Sequence, residues 1–139
     1  AEHQETAITT ANGRYVLVQH KTNQHNALFL CKRMGGHLVA FETQTEYDSL
    51  LSFLPTIVSG TFYWMGARTS ILVGSGNTST GNFIWEHSGA KLDDTFSTWP
   101  SREPDNSKQN EDCAMISSRG FRDAPCDFEF VEQFICEYP

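Results

Sequence analysis

Residues 99–126 read WPSREPDNSKQNEDCAMISSRGFRDAPC and carry the densest chemical signal in the chain. Glu103 and Asp105 flank Pro104, Glu111 and Asp112 precede Cys113, and Asp123 stands three residues before Cys126. Three acidic clusters thus fall in one loop-like region, and two cysteines clamp its second half. Oxygen donors packed this densely on non-repetitive backbone suit a hard divalent cation, calcium above all. A solvated acidic loop looks the same in isolation, so the flanking sequence has to decide.

The surrounding 139 residues are enough for one domain with a real core, and not for two. Hydrophobic residues at 39% and aromatics at 12% exclude a disordered chain. A net charge of −7 with no run of Lys or Arg argues against nucleic acid and anionic membrane surfaces as partners. No apolar stretch approaches the roughly 20 residues that span a bilayer, so no membrane insertion is expected. Ala1-Glu2-His3-Gln4 reads as the start of a mature or trimmed chain, which leaves secretion open.

Cys31, Cys113, Cys126 and Cys136 suit two disulfides, with three connectivities open. Their spacing does not match the paired ligands of a structural zinc site. Asn77-Thr78-Ser79 is a glycosylation sequon. Together the cysteines and the sequon favour an oxidising, extracellular setting.

Residues 1–12 are polar and lack periodicity, and read as a flexible N-terminal tail. Tyr15–Val18 is β-prone. Ala27, Leu30, Cys31 and Met34 mark one face of a helix that Gly35-Gly36 ends. Thr43 and Glu46 form a capping box for a second helix, whose buried stripe is Tyr47, Leu50, Leu51 and Leu54. Phe62–Met65 reads as a strand broken by Gly66. Phe83–Trp85, Ala114–Ile116 and Val131–Cys136 supply further strands, and residues 86–112 form a long irregular stretch of the functional kind. Two early helices, late strands and a long loop between strands make an α+β domain.

In this order the elements resemble a C-type lectin domain in its short four-cysteine form, from about Tyr15 to Tyr138. The resemblance rests on Ala27-x₃-Cys31, Gly35-Gly36-His37-Leu38-Val39, Thr43-x₂-Glu46, Trp64-Met65-Gly66-Ala67, Glu103-Pro104-Asp105, Glu111-Asp112-Cys113, Phe121-Arg122-Asp123-x₂-Cys126 and Ile135-Cys136-Glu137. It implies a domain over 13–139 with two helices, two small antiparallel sheets and a long ligand-binding loop. It also implies the disulfides Cys31–Cys136 and Cys113–Cys126, and terminal strands that place Tyr15–Val18 beside Gln133–Cys136.

The same resemblance implies one calcium ion, with Glu103, Asp105, Glu111 and Asp123 as metal ligands and Pro104 in the cis form. Sugar-binding positions are then Glu103, Asp105, Glu111, Arg122 and Asp123. Arg122 departs from the family, which carries Asn there; a guanidinium has donors only and cannot ligate a cation. Asp105 departs too, being a carboxylate where mannose-type members have Asn. The two changes leave the net charge of the set unaltered, so Asp105 can supply the oxygen that Arg122 does not. A competing reading pairs Arg122 with Asp105 or Glu103, fills the metal position with its own cation and leaves a calcium-independent protein-binding module.

No accessory calcium site is expected, since Asn106 stands where an Asp is usual. The motif is a hybrid of mannose-type and galactose-type, with a lean towards equatorial diols. The five histidines, His3, His20, His25, His37 and His87, form no ligand cluster in the sequence. Trp64, Trp85 and Trp99 read as core and loop anchors. No catalytic motif is present, so an enzyme is not expected. The resemblance implies a secreted lectin of the single-domain invertebrate kind, recognising microbial or glycoprotein glycans, and any oligomer is expected to be noncovalent.

Overall fold

Asn23 opens the first helix, α1 (Gln24–Arg33), from an extended conformation, and its side-chain oxygen accepts from Asn26 N at 2.7 Å. Ala27 and Cys31 form its buried face, and Lys32 and Arg33 occupy the last turn, where the helix dipole favours positive charge. Gly35 follows with φ +88°, and Gly36 N donates to Cys31 O at 3.0 Å, which ends the helix. The computed structural model describes residues 4–54, 61–69, 83–100, 112–129 and 131–138.

Helix α2 (Gln44–Leu51) starts where the capping box is expected. Thr43 Oγ1 accepts from Glu46 N at 3.1 Å, and Glu46 Oε1 accepts from Glu42 N at 2.8 Å. The other oxygen of Glu46 accepts from the Tyr15 hydroxyl at 3.2 Å, which ties the helix to the sheet. Burial holds the Tyr15 phenol well above its ordinary range, with the Glu46 and Glu137 carboxylates adding to the effect.

The strands among the described residues are β1 (Gln4–Thr10), β2 (Gly13–Gln19), β3 (His37–Leu38), β4 (Tyr63–Thr69), β5 (Phe83–Trp85), β6 (Cys113–Ser117), β7 (Gly120–Ala124) and β8 (Gln133–Tyr138). Their order is β1-β2-β8-β4-β6-β7, with β3 on β8 and β5 on β4. The two small sheets expected from the sequence are thus joined. The join is the parallel pairing of β4 with β8, Tyr63 beside Gln133 and Trp64 beside Phe134. The terminal strands meet as expected, Val16 opposite Cys136 and Val18 opposite Phe134.

Three local readings are corrected. Gln4–Thr10, read as part of a flexible tail, forms β1 and pairs with β2 along its whole length, from Gln4 opposite Gln19 to Thr10 opposite Gly13. Ile8 is its one buried residue, so the segment carries almost no hydrophobic alternation to announce it. Gly66 does not end β4 but lies inside it. A Cβ there would stand 2.9 Å from Leu38 O, and Gly66 N donates to Val39 O at 2.8 Å, so the missing side chain lets the β3 segment cross closely. Gly120–Ala124 adds β7, within the region 99–126 that is loop-like by sequence.

Side chains alternate across the sheet into two clusters. One contains Tyr15, Leu17, Phe41, Leu50, Tyr63, Trp85 and Phe121; the other contains Val18, Ala27, Trp64, Met115 and Phe134. Trp64, fully buried, donates from Nε1 to Thr22 O at 2.8 Å. The disulfides are Cys31–Cys136 and Cys113–Cys126. No described helix is long and apolar enough to cross a membrane.

Candidate functional site

An aromatic cluster underlies the region read as functional. Phe121 projects from β7 against Phe41, Tyr47, Trp85, Phe96 and Trp99, with ring centroids 5.6–6.3 Å apart. Trp85 Nε1 donates to Thr95 Oγ1 at 2.9 Å, which fixes the short 3₁₀ turn Leu92–Asp94 and the chain after it. Phe121 N then donates to Thr98 O at 2.9 Å, laying residues 98–100 along the outer edge of β7. Gly120 has φ +123°, and any side chain there would run into the Thr98 carbonyl. The chain therefore enters residues 101–111 from beside Phe121.

The exit from that segment is held at the opposite side. Asp112 is buried, Thr69 N donates to Asp112 O at 2.8 Å, and Thr69 Oγ1 donates to Asp112 Oδ1 at 3.2 Å. Cys113 follows, opposite Ala124 and bonded to Cys126. Glu103, Pro104, Asp105, Asn106 and Glu111 lie outside the described residues, as does Asn77. Both ends of the segment bearing the acids are nonetheless anchored, one at Thr98–Pro100 and the other at Asp112.

Asp123 and Arg122 are the described members of the expected ligand set, and β7 turns them to opposite faces. Asp123 shares the face of Phe121, lies opposite Ala114 and is only 1% exposed. Arg122 is exposed, lies opposite Met115, and its guanidinium sits 5.6 Å over the Phe62 ring, a cation–π arrangement. Carboxylate oxygens suit calcium, and Asp112 and Asp123 are both buried carboxylates, whereas the Arg122 guanidinium has no acceptor. Among the described residues no group of three His, Cys, Asp or Glu side chains is placed to hold a metal.

A second polar cluster was not visible in the sequence. His37 and His87, fifty positions apart, stack with centroids 3.7 Å apart and planes 8° from parallel. His37 Nδ1 faces Leu38 O at 2.8 Å, so that nitrogen carries the proton. Burial lowers the His37 pKa, with His87 adding to the effect and the Leu38 carbonyl opposing it. The pair borders a cleft of about 380 Å³ that Glu42 and Glu137 also line.

Burial pushes the Glu137 pKa up to about 7; the Ala40 N–H at 3.1 Å opposes this, and Glu46 and Glu42 reinforce it. A raised carboxyl contributes stability fully below its unfolded value near 4.5, and loses it as pH climbs through about 7. Glu137→Gln keeps the acceptor for Ala40 and removes the titration. It is expected to be about 1–2 kcal/mol more stable than wild type at pH 8, with the gap closing by pH 5. Urea melts at the two pH values check this; a gap that does not narrow at pH 5 contradicts it.

The comparisons with known proteins agree with this architecture. The profile of the "Lectin C-type domain" family matches residues 20–138. "C-type lectin domain family 4 member M" of Pan troglodytes is 32% identical over 126 residues, covering 90% of this chain. The chain spans about a quarter of that relative's length. "C-type lectin 37Da" of Drosophila melanogaster is 32% identical over 136 residues, covering 90% of this chain and 67% of its own. Among solved structures, the cow carbohydrate-recognition domain of CD23, determined in the presence of a GlcNAc2Man3 oligosaccharide, aligns with a TM-score of 0.74 and 24% identity over 96% of this chain and 93% of its own. The SPL-1–GlcNAc complex aligns at 0.73 and 17% over 94% and 90%. Fold, disulfide pairing, family profile and relatives converge, and the chain belongs to the C-type lectin domain family.

Proposed function

We propose that the chain is a lectin that binds carbohydrate through one calcium ion held by Glu103, Asp105, Glu111 and Asp123. Held there, the ion would supply a Lewis-acidic position for two adjacent sugar hydroxyls, and the carboxylates, which can only accept, would take hydrogen bonds from them. The observation that carries it is the buried Asp123 carboxylate, which faces away from Arg122 at the place where the acid-bearing segment joins the sheet. The Arg122 guanidinium over Phe62, on the face of β7 opposite Asp123, supports a metal position that Arg122 does not fill. The sugars in the titles of the cow CD23 and SPL-1 structures support glycans as the ligand class. Two disulfides support a secreted protein acting outside the cell, where microbial or glycoprotein glycans are its partners.

The test is a calorimetric calcium titration of chelator-stripped protein at neutral pH, followed by binding to a mannose or GlcNAc resin. One saturable ion is expected, with Asp123→Asn weakening it by about 100-fold or more and abolishing chelator-sensitive resin binding. No heat up to about 1 mM calcium from folded protein overturns the reading. If Arg122→Asn then restores the heat, the calcium-independent, protein-binding alternative takes its place.

A further inference from the structure

We infer that His37 and His87 form a binding site for a divalent transition metal ion, zinc or a neighbouring first-row ion, separate from the acid-bearing segment. The two imidazoles come from distant parts of the chain, yet their ring centroids are 3.7 Å apart and their planes 8° from parallel. A zinc ion bound tetrahedrally to two imidazole nitrogens, each at about 2.0–2.1 Å, holds those nitrogens roughly 3.3 Å from each other. The backbone therefore already brings the rings to chelating distance, and a turn of one ring aims both lone pairs at a shared ion. His87 is exposed and has room to make that turn.

The tautomer of His37 suits the role. Its Nδ1 proton is engaged by Leu38 O at 2.8 Å, so Nε2 carries the lone pair. Metal-bound histidines characteristically donate the other ring N–H to a carbonyl or carboxylate, which fixes the ring and raises its basicity as a ligand. Burial lowers the His37 pKa, so the ring is neutral at pH 7, the form that ligates.

Both rings stand on backbone that is held. His37 lies in β3 opposite Glu137. His87 sits in a tight turn, where Glu86 N donates to Gly66 O at 2.8 Å and Gly89 N to Trp85 O at 2.7 Å. An ion on both rings would clip β3 to the turn after β5, since β3 itself pairs with β8 and β5 with β4.

The pair stands between two clefts, so an ion and its waters can reach it from either side. One, of about 380 Å³, is bordered by Glu42 and Glu137; the other, of about 270 Å³, by Glu86 and Lys32. Among the described residues no third His, Cys, Asp or Glu side chain completes a ligand set. Water fills the remaining positions, which makes the site open and exchangeable. Imidazole nitrogen selects zinc, copper and nickel, whereas calcium takes oxygen donors. The inference therefore stands independently of the calcium reading.

Calorimetric titration of zinc chloride into the whole chain tests it, in about 5 mM calcium chloride at about pH 7.5, where calcium fills any carboxylate position. One saturable zinc ion per chain is expected, with a thermal midpoint that rises with zinc concentration. His87→Ala removes an exposed ligand and should weaken zinc about 100-fold, with the zinc-free midpoint within a few degrees of wild type. His25→Ala, at an exposed position on α1, should leave zinc binding unchanged. In nitrogen-15 spectra of the histidine rings, zinc should move the Nε2 signal of His37 while Nδ1 stays protonated. No zinc heat from folded protein, or binding that folded His87→Ala retains in full, overturns the inference. Equal losses in His87→Ala and His25→Ala overturn it as well.

Discussion

The double replacement Cys31→Ala, Cys136→Ala is expected to remove about 4–5 kcal/mol of stability, a large share of the roughly 5–15 kcal/mol that a domain holds. The bond closes a loop of 105 residues, and closure entropy grows with the logarithm of loop length. Its loss frees most of the unfolded chain, because Cys31 lies in α1 and Cys136 in β8. Both cysteines are fully buried beside Trp64 and Phe134, so the pair of alanines also leaves unfilled space. By contrast, Cys113–Cys126 closes only 13 residues, and its removal should cost about 3 kcal/mol. Urea denaturation of both double variants measures the difference. A loss below about 1 kcal/mol for the long loop would mean that the unfolded chain is already restrained by other contacts.

Phe121→Ala is expected to cost about 3–5 kcal/mol, on the order of 10–15 °C in the thermal midpoint. Phe121 is fully buried and meets five aromatic rings, those of Phe41, Tyr47, Trp85, Phe96 and Trp99. Truncation leaves a cavity that stiff rings on three different elements cannot collapse to fill. The effect should also reach ligand binding, since Phe96 and Trp99 belong to the stretch that leads into residues 101–111. Phe121→Leu separates the two effects by keeping most of the volume while losing the edge-to-face ring contacts. It should cost about half as much. Thermal melts read the stability, and calcium titration of the folded fraction reads the coupling to the site. Equal midpoints for Phe121→Ala and wild type would contradict the packing argument.

Both helices were legible from explicit local signals. The first has Ala27, Leu30, Cys31 and Met34 at the helical period with Gly35-Gly36 to end it, and the second has the Thr43–Glu46 capping box. The central strands showed themselves through aromatic and β-branched runs such as Tyr15–Val18 and Phe83–Trp85. β1 was not legible, because a polar edge strand obtains its order from the neighbour it pairs with and not from its own hydrophobicity. Gly66 misled for a related reason: glycine marks a break and a close crossing alike, and only the position of Leu38 distinguishes them.

At the candidate site, the sequence does not disclose which way Arg122 and Asp123 face. Sequence adjacency grouped Arg122 with Asp123, whereas a strand turns neighbouring side chains apart. The stack of His37 on His87 had no local signal at all, since β3 and the turn after β5 meet only through β4 and β8.

The position of β8 has a consequence for biosynthesis. It is the last of the described strands in sequence order, yet it sits between β2 and β4 in the sheet. Until residues 133–138 emerge from the ribosome, no strand pairing among the described residues joins the two halves of the sheet, and β2 and β4 each carry an open edge. Cys113 and Cys126 both emerge ahead of Cys136, so their bond can form first, while Cys31 must wait for Cys136. The nascent domain therefore passes through an interval with one thiol unpaired and two strands unprotected, and that interval is when a chaperone or an oxidase would have most to act on.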